Sequence, residues 1–283
     1  MGSFWAGAGN RLGGSRFRPY PAYPQAGPGL WKGVWLASLK DHYGRARDVD
    51  AKTFVLVHGA WQGGWGWRRV AERLRAHGNN VFTPTLTGLG ERAHQLHPGI
   101  NLSLHIADVI GVIKFEQLND IVLVGHSYGG CVISGVAEAA PDAIRSIVFL
   151  DAFIPDNGDA TLDLVQPAVQ EVIRGALARG DTTIPVRDAA AFRVNEKDRA
   201  WVDLLSGPQP IGTMTEKIKL TGARERIAKK TYIRASGYPN VSFDKAYARV
   251  KNDPGWLTYE VPCGHDVMID EPGRLTEILL EVA

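Results

Sequence analysis

The residues best suited to covalent chemistry are the five at positions 125–129, which read GHSYG. They match the pattern G-x-S-x-G, in which a serine lies on a sharp, strained turn between a strand and a helix. Glycines two residues on either side remove Cβ atoms that would collide in such a turn. A serine exposed in this way, here Ser127, can attack a carbonyl carbon if a base accepts its proton. The apolar run at 121–124 and the helical pattern at 131–137 supply the strand and the helix.

His265 is the candidate base. It follows the predicted strand at 257–261, in the loop VPCGHD. Because ligand sites in open parallel sheets form beyond the carboxyl ends of the strands, this loop is expected to open beside Ser127. His126 lies inside the serine turn, and we expect its side chain to pack or orient locally at the substrate pocket rather than to accept the serine proton.

Two backbone N–H groups are expected to stabilise the oxyanion that forms during acyl transfer. One is the amide of Tyr128, at the start of the helix after Ser127. The other is predicted in the glycine-containing turn after the first strand, HGAWQGG at 58–64, and we assign it to Ala60. Trp61, in the same turn, is predicted to line a mainly apolar substrate pocket.

The acid that orients His265 is not determined by the sequence. Asp151 follows the strand 146–150, the next strand after the one that carries Ser127, and is the leading candidate. An acid is also plausible after the strand near 231–235, but no carboxylate follows there before Asp244. Asp266 is a further alternative.

Strand and helix patterns alternate from Thr53 onward, which predicts an α/β fold with a mostly parallel sheet and helices on both faces. The alternation stops between about 155 and 228, and we interpret this interval as an inserted, mainly helical cap. Residues 1–50 mix Gly, Pro, Arg and aromatic residues without a period, which predicts an irregular or disordered arm. The α/β domain is therefore expected to span 51–283.

Composition excludes several classes of function. The net charge of +2 over 283 residues gives no basic surface for nucleic acid, and no apolar run is long enough to span a membrane. Two cysteines and no secretory signal pattern favour a cytoplasmic protein. His94 and His97 lack a third ligand nearby, so no metal site is predicted.

The sequence resembles the α/β-hydrolase superfamily. The segment FVLVHGAWQGGW at 54–65 is similar to the branch of hydroxynitrile lyases and plant methylesterases, and PTLTGLGER at 84–92 and LDAFIP at 150–155 are similar to bacterial pyrethroid-hydrolysing carboxylesterases. The resemblance covers about 53–283 and implies a Ser/His/acid triad, a helical cap, ester substrates and no cofactor. The acid that the lyase branch carries after the penultimate strand is absent near Tyr238.

The leading hypothesis is hydrolysis of small to medium, largely apolar carboxylic esters through an acyl-enzyme on Ser127. One alternative is cyanohydrin cleavage by a hydroxynitrile lyase, but that branch carries a lysine directly after the histidine, where this chain has Asp266. Another alternative is a ligand-binding receptor on a hydrolase scaffold with little turnover. The expected partner is a small-molecule ester, with no nucleic acid or membrane, and a homodimer is one option for the oligomeric state.

Overall fold

The computed structural model describes residues 51–283, and the N-terminal arm predicted at 1–50 lies outside the described residues. The chain forms β1 (Thr53–Val57), α1 (Arg68–Ala76), β2 (Asn80–Phe82), α2 (Leu102–Phe115), β3 (Ile121–His126), α3 (Gly129–Ala139) and β4 (Ile144–Leu150). It continues with α4 (Thr161–Leu164), α5 (Pro167–Arg179), β5 (Thr183–Ile184), α6 (Glu196–Leu205), β6 (Gln209–Pro210) and α7 (Gly212–Thr215). The last elements are β7 (Lys229–Ala235), α8 (Val241–Val250), β8 (Trp256–Val261), α9 (Val267–Asp270) and α10 (Pro272–Glu281).

Six parallel strands form the central sheet, in the order β2-β1-β3-β4-β7-β8. The central strand β3 is buried along its whole length, as its continuous apolar sequence predicts for a strand covered on both faces. The edge strand β8 is only partly buried. Helices flank the sheet, with α1 against α10 and α2 against α3. The predicted α/β fold with a mostly parallel sheet is therefore confirmed.

The interval 155–228, which we call the cap segment, separates β4 from β7. Within it lie the helices α4 to α7 and the two short strands β5 and β6, which pair in antiparallel fashion. Arg69 of α1 forms an ion pair with Asp198 of α6, with Nη2 2.6 Å from Oδ1, and so ties the cap segment to the sheet domain. Among the described helices, none combines the length and the apolar character needed to cross a bilayer.

Candidate active site

Ser127 lies in the tight connection between β3 and α3. Its backbone has φ of +53°, in the left-handed region that residues with a side chain rarely adopt. A Cβ on Gly125 would stand 2.6 Å from the Gly129 carbonyl oxygen, and one on Gly129 would stand 2.8 Å from that of His58. Only glycine fits at either position, as the G-x-S-x-G pattern requires. The Ser127 N–H donates to Leu150 O at 3.1 Å, which anchors the turn to the end of β4.

The His265 ring is held by a carboxylate and by aromatic side chains. Its Nδ1 lies 2.6 Å from Oδ2 of Asp151, which follows β4 with φ of +41°. The Phe243 ring stacks on the imidazole at a centroid distance of 5.1 Å and an interplanar angle of 14°. The backbone N–H of His265 donates to Phe192 O at 2.9 Å. These contacts leave Nε2 as the nitrogen available for proton transfer.

The three carboxylates considered from the sequence have different partners. Asp151 contacts His265, as described above. Asp244 pairs instead with Arg234, with Oδ1 2.8 Å from Nη2. Asp266 accepts a hydrogen bond from Gln62 Nε2 at 2.8 Å, and its other oxygen lies 3.7 Å from His126 Nε2. Of the three, Asp151 is thus the one within hydrogen-bond distance of the His265 side chain.

Burial and a nearby cation control the protonation of this pair. The side chain of Asp151 is fully buried, and His265 is 4% exposed. Burial raises the pKa of Asp151 and lowers the pKa of His265, because each charged form loses hydration. The guanidinium of Arg234 lowers the pKa of both groups. A neutral His265 can accept a proton, as a general base must.

Arg234 is a further residue of the site, and no pattern in the sequence assigned it a role. It lies in β7, 4% exposed, and its Nη1 is 2.7 Å from Oδ1 of Asp151. The Ala235 N–H donates to the same oxygen at 3.2 Å. An arginine at the end of the predicted strand TYIR at 231–234 could have indicated it, since a buried cation requires an acidic partner.

The amides of Ala60 and Tyr128 both belong to residues that line a cavity beside Ser127. Within residues 51–283, neither N–H has a hydrogen-bond acceptor. The turn that carries Ala60 is braced by His58, whose Nδ1 contacts Gly59 O at 2.8 Å and whose Nε2 accepts the Leu86 N–H at 3.0 Å. Burial lowers the pKa of His58 to about 4, so this histidine is neutral and can accept that hydrogen bond.

The space beside Ser127, which we call the main cavity, holds about 590 Å³, a volume that includes the solvent at its open mouth. Ser127 and His265 lie in its wall, and its lining is largely apolar, with Trp61, Phe153, Ile173, Phe192, Met214 and Phe243 among the residues. Among the described residues, Arg187 is the only one in this lining with a permanent charge, and none of their carboxylates faces this space.

His126 and Trp61, both predicted to lie at the pocket, have different surroundings. Trp61 lines the main cavity and also a second, narrower one, in which His126 takes part together with Ser127 and His265. His126 Nε2 lies 3.1 Å from the carbonyl oxygen of His265. Burial lowers the pKa of His126 well below its usual value, with His265 as a second cause. In the part of the chain that the structure describes, no group of three potential ligands could hold a metal ion.

Residues 54–278 match the sequence profile of the Alpha/beta hydrolase family. The chain is 40% identical to the carbendazim hydrolyzing esterase of Nocardioides sp. (strain SG-4G), over 80% of this chain and 97% of that protein. It is 33% identical to Methylesterase 10 of Arabidopsis thaliana, over 81% of this chain and 91% of the relative. An extracellular α/β-hydrolase from a Paenibacillus species, described as homologous in structure and function to tobacco salicylic acid binding protein 2, superposes with a TM-score of 0.73 at 26% identity and covers 82% of this chain and 99% of its own. The profile match spans most of the sequence, so the chain belongs to the α/β hydrolase family.

Proposed function

We propose that this protein hydrolyses carboxylic esters through an acyl-enzyme on Ser127, with His265 as the general base and Asp151 as the acid of the triad. The observation that carries the proposal is the 2.6 Å contact between His265 Nδ1 and Asp151 Oδ2, in the wall of the cavity that Ser127 also lines. The similarity to a carbendazim hydrolyzing esterase and to a plant methylesterase supports the same reaction.

In the first half-reaction, Ser127 Oγ attacks the ester carbonyl carbon while His265 Nε2 accepts the serine proton. Asp151 stabilises the imidazolium that results, and its contact with Nδ1 leaves Nε2 as the nitrogen that exchanges the proton. The carbonyl oxygen becomes an oxyanion, which the N–H groups of Ala60 and Tyr128 bind. When the tetrahedral intermediate collapses, the C–O bond to the alcohol breaks and His265 returns the proton to the leaving oxygen.

In the second half-reaction, water attacks the acyl-enzyme and His265 again accepts the proton. The tetrahedral intermediate collapses, the bond to Ser127 Oγ breaks as His265 returns the proton to that oxygen, and the carboxylic acid leaves. The largely apolar lining favours esters with an aromatic or aliphatic group, and carbendazim is one substrate to test because of the 40% identical relative. The cap segment contributes Thr161, Ile173 and Phe192 to this lining, and we assign it the selection of substrate.

We place this activity in the cytoplasm. The proposal rests on Cys131 and Cys263, which are both free thiols, as is usual in a reducing compartment. Fractionation of the source cells, with the protein detected by an antibody, tests this location. Recovery in the culture medium would contradict it.

The experiment for the catalytic proposal is the variant Ser127→Ala, assayed with p-nitrophenyl acetate. We expect kcat to fall by about 10⁴-fold or more, because the variant lacks the nucleophile. Ser103→Ala is the matched control, since Ser103 is exposed on α2 and bonds Glu216 instead. A fluorophosphonate should label the wild-type protein once, on the peptide that carries Ser127. Undiminished turnover by the alanine variant would exclude the mechanism.

A further inference from the structure

The side chain of Gln209 joins the cap segment to the turn that carries Ala60. Gln209 begins β6 and is fully buried. Its Oε1 accepts the Trp61 N–H at 2.9 Å, and its Nε2 donates to Thr213 Oγ1 at 2.8 Å. The Thr213 hydroxyl in turn donates to Pro210 O at 2.6 Å, which leaves its oxygen free to accept from Gln209. The orientation of the Gln209 amide is therefore fixed, with the oxygen directed at the turn.

Trp61 depends on these cap contacts for both of its backbone polar groups. Its φ is +65°, a left-handed conformation that is unfavourable for a residue with a side chain. Its N–H donates to Gln209, and its carbonyl oxygen accepts the Gly207 N–H at 2.8 Å. Such conformations persist only where surrounding contacts determine them. Here those contacts come from a part of the chain almost 150 residues away in sequence.

The Ala60 N–H lies one peptide group before the Trp61 N–H that Gln209 holds. The peptide plane between Ala60 and Trp61 is held by Gln209, and this restricts the backbone torsions of Ala60 that aim its own N–H. We infer that Gln209 is a positioning residue, which keeps the Ala60 N–H directed at the oxyanion and completes the oxyanion site only when the cap segment is docked. The inference rests on the proposed oxyanion role of Ala60.

A consequence is that cap docking and catalytic competence are coupled. The cap segment covers the cavity, and its displacement would separate Gln209 from Trp61. The turn would then lose the acceptor that holds the strained residue in place. An ester bound under the docked cap segment therefore meets an Ala60 N–H that is directed at the oxyanion. When the cap segment is displaced and the site is open to water, this N–H is no longer held in place and the reaction is slower.

The test is the variant Gln209→Met, which keeps the length of the side chain but removes the amide. We expect kcat for a p-nitrophenyl ester to fall by about tenfold to a hundredfold, with KM changed less than about twofold. This decrease in kcat is smaller than the one expected for deleting an oxyanion donor, because the Ala60 N–H is still present. Gln209→Glu retains an acceptor oxygen and should recover most of the activity.

A pair of inhibitors separates positioning from a purely structural role. Trifluoromethyl benzyl ketone adds reversibly to a catalytic serine and places an oxyanion in the site, whereas methyl benzyl ketone binds mainly without addition. In Gln209→Met, the Ki of the trifluoromethyl ketone should rise by the same factor as kcat/KM falls, while the Ki of the methyl ketone stays constant. Gln170→Leu is the control, because Gln170 is a cap glutamine whose amide bonds Val165 O, away from the turn.

Each outcome decides the inference. Equal changes in both Ki values, or an unchanged trifluoromethyl ketone Ki, would overturn it. If Gln209→Met does not fold, Thr213→Val carries the same test, because it removes the group that orients the Gln209 amide and should raise the ratio of the two Ki values several-fold. Activity of Ser127→Ala would refute the proposed function itself, whereas a loss in that variant with normal inhibition of the Gln209 variants would refute only the positioning role.

Discussion

Arg234 contacts the side of Asp151 that faces away from His265. Arg234 Nη1 lies 2.7 Å from Oδ1, while Oδ2 lies 2.6 Å from His265 Nδ1. A second carboxylate, Asp244, lies 2.8 Å from Nη2 of the same guanidinium. The carboxylate after β7, in the region where the lyase branch carries its acid, therefore acts on the imidazole only indirectly here, through a cation that binds the carboxylate after β4.

This arrangement predicts unequal effects for the two aspartates. Asp151→Asn should lower kcat/KM for a p-nitrophenyl ester by about 10³- to 10⁴-fold, because an amide no longer stabilises the imidazolium or selects the correct tautomer of His265. Asp244→Asn should lower it less than about fivefold, since its side chain is 60% exposed and does not reach His265. Steady-state kinetics at one pH are sufficient. A larger loss in Asp244→Asn than in Asp151→Asn would exclude Asp151 as the acid.

The pH dependence of Arg234→Gln tests the electrostatic role of the guanidinium. The positive charge lowers the pKa of both Asp151 and His265, so its removal raises the pH at which the pair takes up a proton. Protonation of the pair abolishes the base, and the acid limb of the kcat/KM profile should therefore move to higher pH. The shift is measured against wild type between pH 5 and 9. A limb that stays fixed or moves to lower pH would contradict this role.

The same variant should be less stable. Loss of one member of a buried ion pair leaves Asp151 without its cation, and we expect the free energy of unfolding to fall by about 3 kcal/mol. Because the folded-state pKa of Asp151 is raised, protonation relieves the unpaired charge below that pKa, and the defect should be smaller at pH 5 than at pH 8. Urea unfolding of the wild type and the variant at pH 5 and at pH 8 measures this loss in the free energy of unfolding. Equal defects at the two values would show that the ion pair is not the cause.

The parallel sheet could be predicted from the sequence because its central strands are covered on both faces and read as continuous apolar runs. The serine turn could also be predicted, because it depends only on local sequence: its two glycines lie within two residues of Ser127. The strands β5 and β6, of two residues each, leave no periodic pattern. The choice among Asp151, Asp244 and Asp266 depends on tertiary contacts, since Asp151 and His265 are 114 residues apart.

Arg187 predicts a preference among ester substrates. It is an exposed residue of the cap segment, and its guanidinium lies 5.1 Å from the Phe192 ring centroid. No carboxylate within residues 51–283 faces the main cavity. The Coulomb attraction between this cation and a carboxylate on the ester is worth roughly 1 kcal/mol in water, which corresponds to about a fivefold increase in kcat/KM. Arg187→Gln should therefore reduce kcat/KM for mono-p-nitrophenyl glutarate about fivefold relative to p-nitrophenyl butyrate. Arg174→Gln, a cap arginine outside the cavity lining, should leave this ratio unchanged, and an equal loss for both esters in Arg187→Gln would contradict the preference.

The serine turn leaves no space for a side chain at Gly125. A Cβ on Gly125 would stand 2.6 Å from the Gly129 carbonyl oxygen, a backbone atom at the start of α3 that cannot move without displacing the helix. We expect Gly125→Ala to lower the free energy of unfolding by about 3 kcal/mol, and to reduce activity further by shifting Ser127. Gly111→Ala is the matched control. Gly111 lies inside α2, where an added Cβ would have no atom of the described residues within 4 Å apart from the neighbouring backbone of the helix. Alanine there should therefore stabilise the protein by about 0.5–1 kcal/mol through its higher helix propensity. If the urea midpoint falls in Gly125→Ala and rises in Gly111→Ala, the Gly125 effect is due to the contact at the turn. An unchanged midpoint in Gly125→Ala would contradict this prediction, because it would mean that β3 and α3 can separate enough to admit a methyl group.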